Sequence, residues 1–458
     1  MDYNTLIARL SRRGVFRIKP GLERTRGVLN ALGDPQARLQ AIHIAGTNGK
    51  GSVAACMESV LRSAGYRTGL YTSPHLWDVR ERIQLNRQPI GAAAFRDIAQ
   101  EVLKAERQVG YTLTFFEFLT VMAFKTFADA SVEVALIETG MGGRWDATNV
   151  LDHPALTLIT SIGLDHVQWL GPSETAIARE KAGILKEGTP LIHGARGRAA
   201  RAIAACARKK NVPLLQIGRD FYATPGVVQW ERSRQALSYT GPAGTRTLTL
   251  GLMGRYQLDN AALALAAFET LQKQGWKITE ASLRNGMARV NWPGRFQLET
   301  LTEPRVLFDG AHNPPALQRL LDALKASPWH RTPKTFVFGV YRDKDYSRLL
   351  AMIRPHAAHL VVCTLPGARA LPAKKAAESF GRPDSPPQAG STGSPYTRRV
   401  SGRNTCGVTL VKDPRQALGK ALRLTDKNHL VVVTGSLALV GKLLNKAKPA
   451  ERGALCPV

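Results

Sequence analysis

Seven consecutive residues, Gly46-Thr47-Asn48-Gly49-Lys50-Gly51-Ser52, combine what a nucleotide phosphate needs. Glycines let backbone N–H groups approach anionic oxygens, and Lys50 supplies a point charge. A helix beginning there aims its positive end at the ligand. The spacing departs from the common G-x-x-x-x-G-K-[ST] pattern, because Gly51 stands between Lys50 and Ser52 and Ile44 takes the place of the first glycine. An ordinary strand-to-helix turn is the competing reading; Gly, Lys and Ser packed directly after an apolar strand favour phosphate. Glu138 closes another apolar run, where a carboxylate needs a partner. Judged by residue type alone, Ser73 is a turn residue before Pro74, His166 a loop histidine, and Lys181 an exposed helical lysine.

The elements that would position these groups are legible around them. Residues 40–46 read as a short apolar strand, and Val53, Met57, Val60 and Leu61 mark a helix ending near Gly65. Runs at 132–139 and 156–161 are apolar enough to be strands covered on both faces, as in a parallel sheet. Residues 221–249 alternate between β-like stretches and turns, which predicts an antiparallel excursion. Pro and Gly punctuate Asn291-Trp292-Pro293-Gly294, after which new strands are predicted at 305–308, 335–340, 359–363 and 429–433. Strands alternating with helical patterns make the class α/β, with domains expected at 1–292 and 296–458. Pro, Gly, Ser and Arg gather after 366, and a flexible surface insertion is expected around 373–405.

With 44% hydrophobic and 21% charged residues in a chain of 458, the composition is globular and excludes a disordered or collagen-like chain. No run of about 18 apolar residues predicts a membrane span, and the first residues lack the pattern of a secretory signal. The five cysteines show neither a disulfide framework nor metal spacing, so a cytoplasmic location is expected. Charge is the outlier: 63 Lys and Arg against 35 Asp and Glu give +28. The basic residues are spread along the chain, and no motif specifies a nucleic acid. Weak, salt-sensitive adsorption to polyanions is expected as a side effect.

The phosphate loop resembles that of the folylpolyglutamate synthase/dihydrofolate synthase branch of the Mur ligase family. The resemblance continues in order through Thr72-Ser73-Pro74-His75, Glu81-Arg82-Ile83, Phe115-Phe116-Glu117, Glu138-Thr139-Gly140-Met141-Gly142-Gly143-Arg144 and Leu164-Asp165-His166. It goes on through Glu180-Lys181-Ala182-Gly183-Ile184, Trp292-Pro293-Gly294-Arg295, Asp309-Gly310-Ala311-His312-Asn313-Pro314 and Thr434-Gly435-Ser436-Leu437. Nearly the whole chain is covered. The resemblance implies a Mur-ligase-type P-loop ATPase domain followed by a smaller Rossmann-like domain. It implies ATP-dependent addition of L-glutamate to dihydropteroate and to reduced folates through an acyl phosphate, with ATP as co-substrate.

Individual roles follow from the same likeness. Gly46 to Ser52, with Asn260, Arg295, Asp309 and His312, are the implied nucleotide contacts. Ser73, Glu138 and His166 resemble the ligands of two Mg²⁺ sites. Lys181 matches a lysine that CO₂ carbamylates in related enzymes, giving Lys50, Lys181 and His166 the catalytic roles. Phe116, Glu117 and Asp146 resemble residues near the pterin pocket, and Ser436 a glutamate contact. Each has a plainer reading: Asn260 caps a helix over 261–271, Asp309 ends a strand in a turn, and Phe115, Phe116 and Phe118 pack a core. Trp145 stands where related sequences commonly carry an aliphatic residue. A role for K⁺ is not legible in the sequence, and a monomer is expected. The alternatives are a synthase restricted to one acceptor, a Mur ligase acting on peptidoglycan precursors, and a non-catalytic polyanion-binding protein.

Overall fold

The computed structural model describes residues 2–14, 20–299, 303–367, 369–380 and 406–444. Contacts divide the chain into two compact units, Met1–Trp292 and Pro293–Val458.

In the first unit, eight strands form one sheet: β1 (Ala41–Ala45), β2 (Thr68–Tyr71), β3 (Ile83–Leu85), β4 (Gln88–Pro89), β5 (Val134–Glu138), β6 (Leu156–Ile159), β7 (Leu191–His193) and β8 (Leu214–Gln216). Their spatial order is β4-β3-β2-β5-β1-β6-β7-β8. The pairs from β2 to β8 are parallel, and β3 and β4 add an antiparallel edge. Strands β1 and β5 are buried along their whole length, which explains their continuous apolar runs. One face is covered by the helices Lys50–Ser63, Tyr256–Lys273 and Glu280–Arg289, the other chiefly by Ala92–Val109 and Phe115–Asp129.

The chain leaves β1 on one side to make β2, fills the gap with β5, then crosses to β6 on the other side. The carboxyl ends of β2, β5, β1 and β6 therefore lie side by side, with Ile44 in register with Glu138 and Tyr71 with Ile137. In open α/β sheets such a switch leaves a crevice where ligands bind. The predicted antiparallel excursion is present as β9 (Tyr222–Gln229), β10 (Arg234–Gly241) and β11 (Gly244–Leu250). The Tyr239 hydroxyl donates to Glu269 at 3.0 Å and ties this small sheet to the Tyr256–Lys273 helix.

The second unit is a six-stranded sheet of β12 (Gln297–Glu299), β13 (Arg305–Phe308), β14 (Lys334–Phe338), β15 (His359–Cys363), β16 (Gly407–Val411) and β17 (Leu430–Thr434). Its order is β12-β13-β17-β14-β15-β16, parallel except for β12. Helices at Pro314–Lys325, Tyr346–Ile353, Pro414–Leu424 and Leu437–Leu443 complete a Rossmann-like α/β arrangement. One expectation is corrected. Ala373–Phe380, read as the start of a flexible insertion, is a helix that buries Ala373, Ala376 and Ala377 along one face. The remainder of that insertion, 381–405, lies outside the described residues. Among the described residues no helix is long and apolar enough to cross a membrane.

Candidate active site

Gly49 ends the phosphate loop as the N-cap of the Lys50–Ser63 helix, at φ +98°. That conformation favours glycine, and a Cβ there would collide with the Asn260 side chain. Lys50, Gly51 and Ser52 thus form the first helical turn, whose N–H groups have no intrahelical acceptors and suit an anion. Gly51 is explained by close approach, since a Cβ would stand 2.8 Å from the Trp292 ring. The loop is pinned from the next strand end: Thr47 N donates to Ser161 O at 2.8 Å, and the Thr160 hydroxyl donates to Asn48 O at 2.8 Å.

Two ammonium groups converge on one carbonyl. Lys50 Nζ donates to Gly46 O at 3.2 Å, and Lys181 Nζ donates to the same oxygen at 2.8 Å. Lys50 also lies 3.8 Å from the Glu138 carboxylate, which accepts from Ser73 N at 3.3 Å. The loop, the end of β5 and the segment after β2 therefore meet in one corner.

Lys181 is not the exposed helical lysine that its neighbours suggest. It closes the Glu174–Lys181 helix and is only 4% exposed. Burial, with Lys50 adding repulsion, pulls its pKa from 10.5 down to about 7. The Gly143 backbone packs against this helix end, where a Cβ would strike the Lys181 and Glu180 carbonyls. Arg144 N donates to Glu180 O at 3.1 Å, so the Met141-Gly142-Gly143-Arg144 loop helps hold Lys181 in place. His166 sits at φ +52° as the N-cap of the short helix Val167–Leu170, with its side chain 41% exposed. Its backbone N–H donates to Asp165 at 3.0 Å, and Asp165 acts electrostatically on Lys181.

Asn260 does not cap its helix: Arg255 is the N-cap of Tyr256–Lys273, and Asn260 lies a turn inside. Instead its amide donates to Gln257 at 2.7 Å, and Gln257 donates to the Ser52 hydroxyl at 3.3 Å, connecting it to the phosphate loop. Asp146 is buried, which raises its pKa, and accepts from Met141 N at 2.9 Å, Thr148 N at 3.0 Å and the Thr148 hydroxyl at 2.5 Å. Behind it, buried His43 Nε2 lies 2.8 Å from the same hydroxyl. Phe116 packs over Gly140 and lies 6.0 Å from the Tyr71 ring. Glu117 completes a capping box with Thr114 and also accepts from Arg24 at 2.8 Å, so its carboxylate is engaged in holding the Phe115–Asp129 helix. Phe118 is core, and Trp145 is 53% exposed.

In the second unit, Asp309 follows β13 and accepts from Phe296 N and Ala311 N, each at 2.9 Å. The Arg295 side chain lies 3.4 Å from where a Gly310 Cβ would stand, and His312 Nδ1 lies 2.9 Å from Gly310 O. Ser436 caps the Leu437–Leu443 helix, accepting from Ala438 N at 3.1 Å. Gly435 N donates to Ala311 O at 2.9 Å, which brings these residues to one edge of the unit. Residue-by-residue reading missed Arg82, His43, Thr148 and Gln257. Arg82 was present only as the middle of Glu81-Arg82-Ile83, where nothing in residue type distinguishes a buried cation from an exposed one.

A phosphate loop after β1, with an acidic strand end and a buried lysine beside it, defines the class of P-loop ligases. The family described as Mur ligase middle domain matches residues 44–268, and the Mur ligase glutamate ligase domain matches 294–437. Folylpolyglutamate synthase from Lacticaseibacillus casei is 36% identical over 357 residues, covering 75% of this chain and 81% of its own. The structure titled E. coli FolC in complex with DHPP and ADP aligns at a TM-score of 0.83 and 31% identity, covering 96% of each chain. A bifunctional folylpolyglutamate synthase/dihydrofolate synthase from Yersinia pestis, solved with AMPPNP and Mn ion, aligns at a TM-score of 0.80 and 28% identity, over 96% of this chain and 97% of its own. This chain belongs to the folylpolyglutamate synthase/dihydrofolate synthase branch of the Mur ligases, a family of ATP-dependent ligases.

Proposed function

We propose that the chain joins L-glutamate to dihydropteroate and to reduced folates, spending ATP through an acyl phosphate. The observation that carries this reading is the corner where Lys50 and Lys181 share the Gly46 carbonyl beside Glu138 and Ser73. A carboxylate is a poor electrophile until a phosphoryl group is placed on it. The site must bring anions together, neutralise their charge and keep water away from the activated acid. In this reading the free N–H groups of the Lys50–Ser63 helix and the Lys50 ammonium hold the transferring phosphate. Arg295, Asp309 and His312 are proposed nucleotide contacts, Phe116 and Asp146 acceptor contacts, and Ser436 a glutamate contact.

The donor set fits a divalent cation. Ser73 and Glu138 offer hard oxygens in one corner, and among the described residues no cluster of three or more His, Cys, Asp or Glu forms a complete protein cage. Such partial ligation suits Mg²⁺ beside phosphates. Ser73 and Glu138 would hold one ion and His166 a second; bound Mg²⁺ would supply neutralisation of phosphate charge. Lys181 is proposed to be carbamylated: its amine attacks the carbon of CO₂, an N–C bond forms and a proton leaves to solvent. The pKa of about 7 leaves a sizeable neutral fraction for that attack, and the resulting anion would sit beside Lys50.

The test supplies purified protein, ATP, Mg²⁺ and glutamate with dihydropteroate, and separately with a reduced monoglutamyl folate. ADP and amide product are counted. Product with both acceptors is expected; product with one alone reduces the assignment to a single synthase, and product with neither rejects it.

A further inference from the structure

Three arginines with little exposed surface in the first unit are paired with a carboxylate. Arg13 pairs with Glu106, Arg24 with Glu117 and Arg246 with Glu269. Arg82 is not. It is 6% exposed, and among the described residues it forms no ion pair. Its Nε donates to His75 Nδ1 at 3.1 Å, and its guanidinium carbon lies 5.4 Å from the centre of the Phe115 ring. Neither of its two Nη groups makes a hydrogen bond among the described residues.

The nearby acids are engaged elsewhere. Glu81 accepts from the backbone N–H groups of Leu76, Trp77 and Asp78, at 2.9, 3.0 and 2.7 Å. Glu138 faces Lys50 and Ser73 N. Burial therefore pulls the Arg82 pKa below its ordinary value, with Tyr71, Glu138 and Glu81 opposing at longer range. A buried cation with donors to spare is costly unless an anion arrives to use them.

Its place in the fold says which anion. Thr72 N donates to Arg82 O at 3.1 Å, which ties its backbone to the segment carrying Ser73. On its other side Phe115 opens the helix that also carries Phe116, the ring packed over Gly140. The Arg82 backbone thus adjoins the Ser73 segment, while its guanidinium lies near Phe115 and within electrostatic reach of Glu138.

We propose that Arg82 binds the reacting carboxylate of the acceptor through its Nη groups. It holds the oxygen that does not attack, leaving the other to form a bond to the γ-phosphorus while the bond from phosphorus to ADP breaks. When the glutamate amine adds to the acyl phosphate, the same donors face the carbonyl oxygen on which negative charge develops, until phosphate leaves and the charge collapses. Each acceptor presents one reacting carboxylate, the benzoate of dihydropteroate or the γ-carboxylate of the folate's glutamate, whereas only the folate also carries an α-carboxylate. The assignment rests on the ligase reading above.

Arg82→Ala and Arg82→Lys are compared with wild type for both acceptors, with ADP affinity measured alongside. The expected result is a fall in kcat/KM of about 10²-fold for both acceptors in Arg82→Ala, smaller in Arg82→Lys, with ADP affinity unchanged. Millimolar ethylguanidinium should restore part of the Arg82→Ala rate without affecting wild type. Loss confined to the folate would assign Arg82 to the α-carboxylate and overturn the proposal. So would weakened ADP binding in both variants, which marks a brace for the Ser73–His75 segment. Normal kcat/KM in Arg82→Ala overturns it while leaving the ligase intact; an inactive wild type overturns the ligase reading and this assignment with it.

Discussion

At the scale of single residues, the site is built on electrostatic crowding. Two lysines share one carbonyl, and among the described residues only Lys50 has a carboxylate within ion-pair range. Removing Lys50 or Glu138 should cost phosphate or metal stabilisation, so Lys50→Ala and Glu138→Ala are each expected to lower kcat by about 10²-fold or more. Near-normal steady-state rates in both would contradict the assignment. Lys181→Ala should lose activity and regain part of it with millimolar formate or acetate, which would stand in for the proposed carbamate; full activity without any addition would end that proposal. The turn at Gly49 and the helix opening at Lys50 were legible because a positive φ selects glycine and an apolar helical spacing follows. The burial of Lys181 was not, because Arg179-Glu180-Lys181 has the composition of a solvated helical face and its cover comes from a distant loop at Gly143.

At the scale of elements, the central strands were readable because both faces are covered, which demands uninterrupted apolar residues. Two buried histidines of this sheet carry a cost that hydropathy does not reveal. His43 in β1 and His193 in β7 are fully buried, and burial lowers their pKa values from 6.5 to about 3 and about 4. Between pH 6.5 and 5 the unfolded chain binds protons that the folded chain refuses. Stability should therefore be level above pH 6.5 and fall as pH drops, by up to about 1.4 kcal/mol per pH unit for each histidine. Urea midpoints at pH 7 and pH 5.5 test this: His193→Leu should show a smaller drop than wild type, and an equal drop would contradict it. The helix Ala373–Phe380 escaped sequence reading because one short alanine face, flanked by lysines and followed by Pro- and Gly-rich sequence, carries too little periodic signal.

At the scale of the whole molecule, the order of motifs made both α/β units and the ligase family legible, since several of them, at Gly46, Glu138, Asp309 and Thr434, close or follow strands of the two sheets. The charge of +28 exceeds what the proposed phosphate corner requires, and the basic residues behind it are spread along the chain. In the proposed chemistry an inert carboxylate is activated by phosphoryl transfer before the glutamate amine attacks it. An acceptor whose reacting carboxylate carries ¹⁸O in both positions tests this directly, using ATP, Mg²⁺ and glutamate and reading the released phosphate by mass. The account predicts one ¹⁸O atom in each inorganic phosphate formed with amide product. Amide product accompanied by unlabelled phosphate would contradict it.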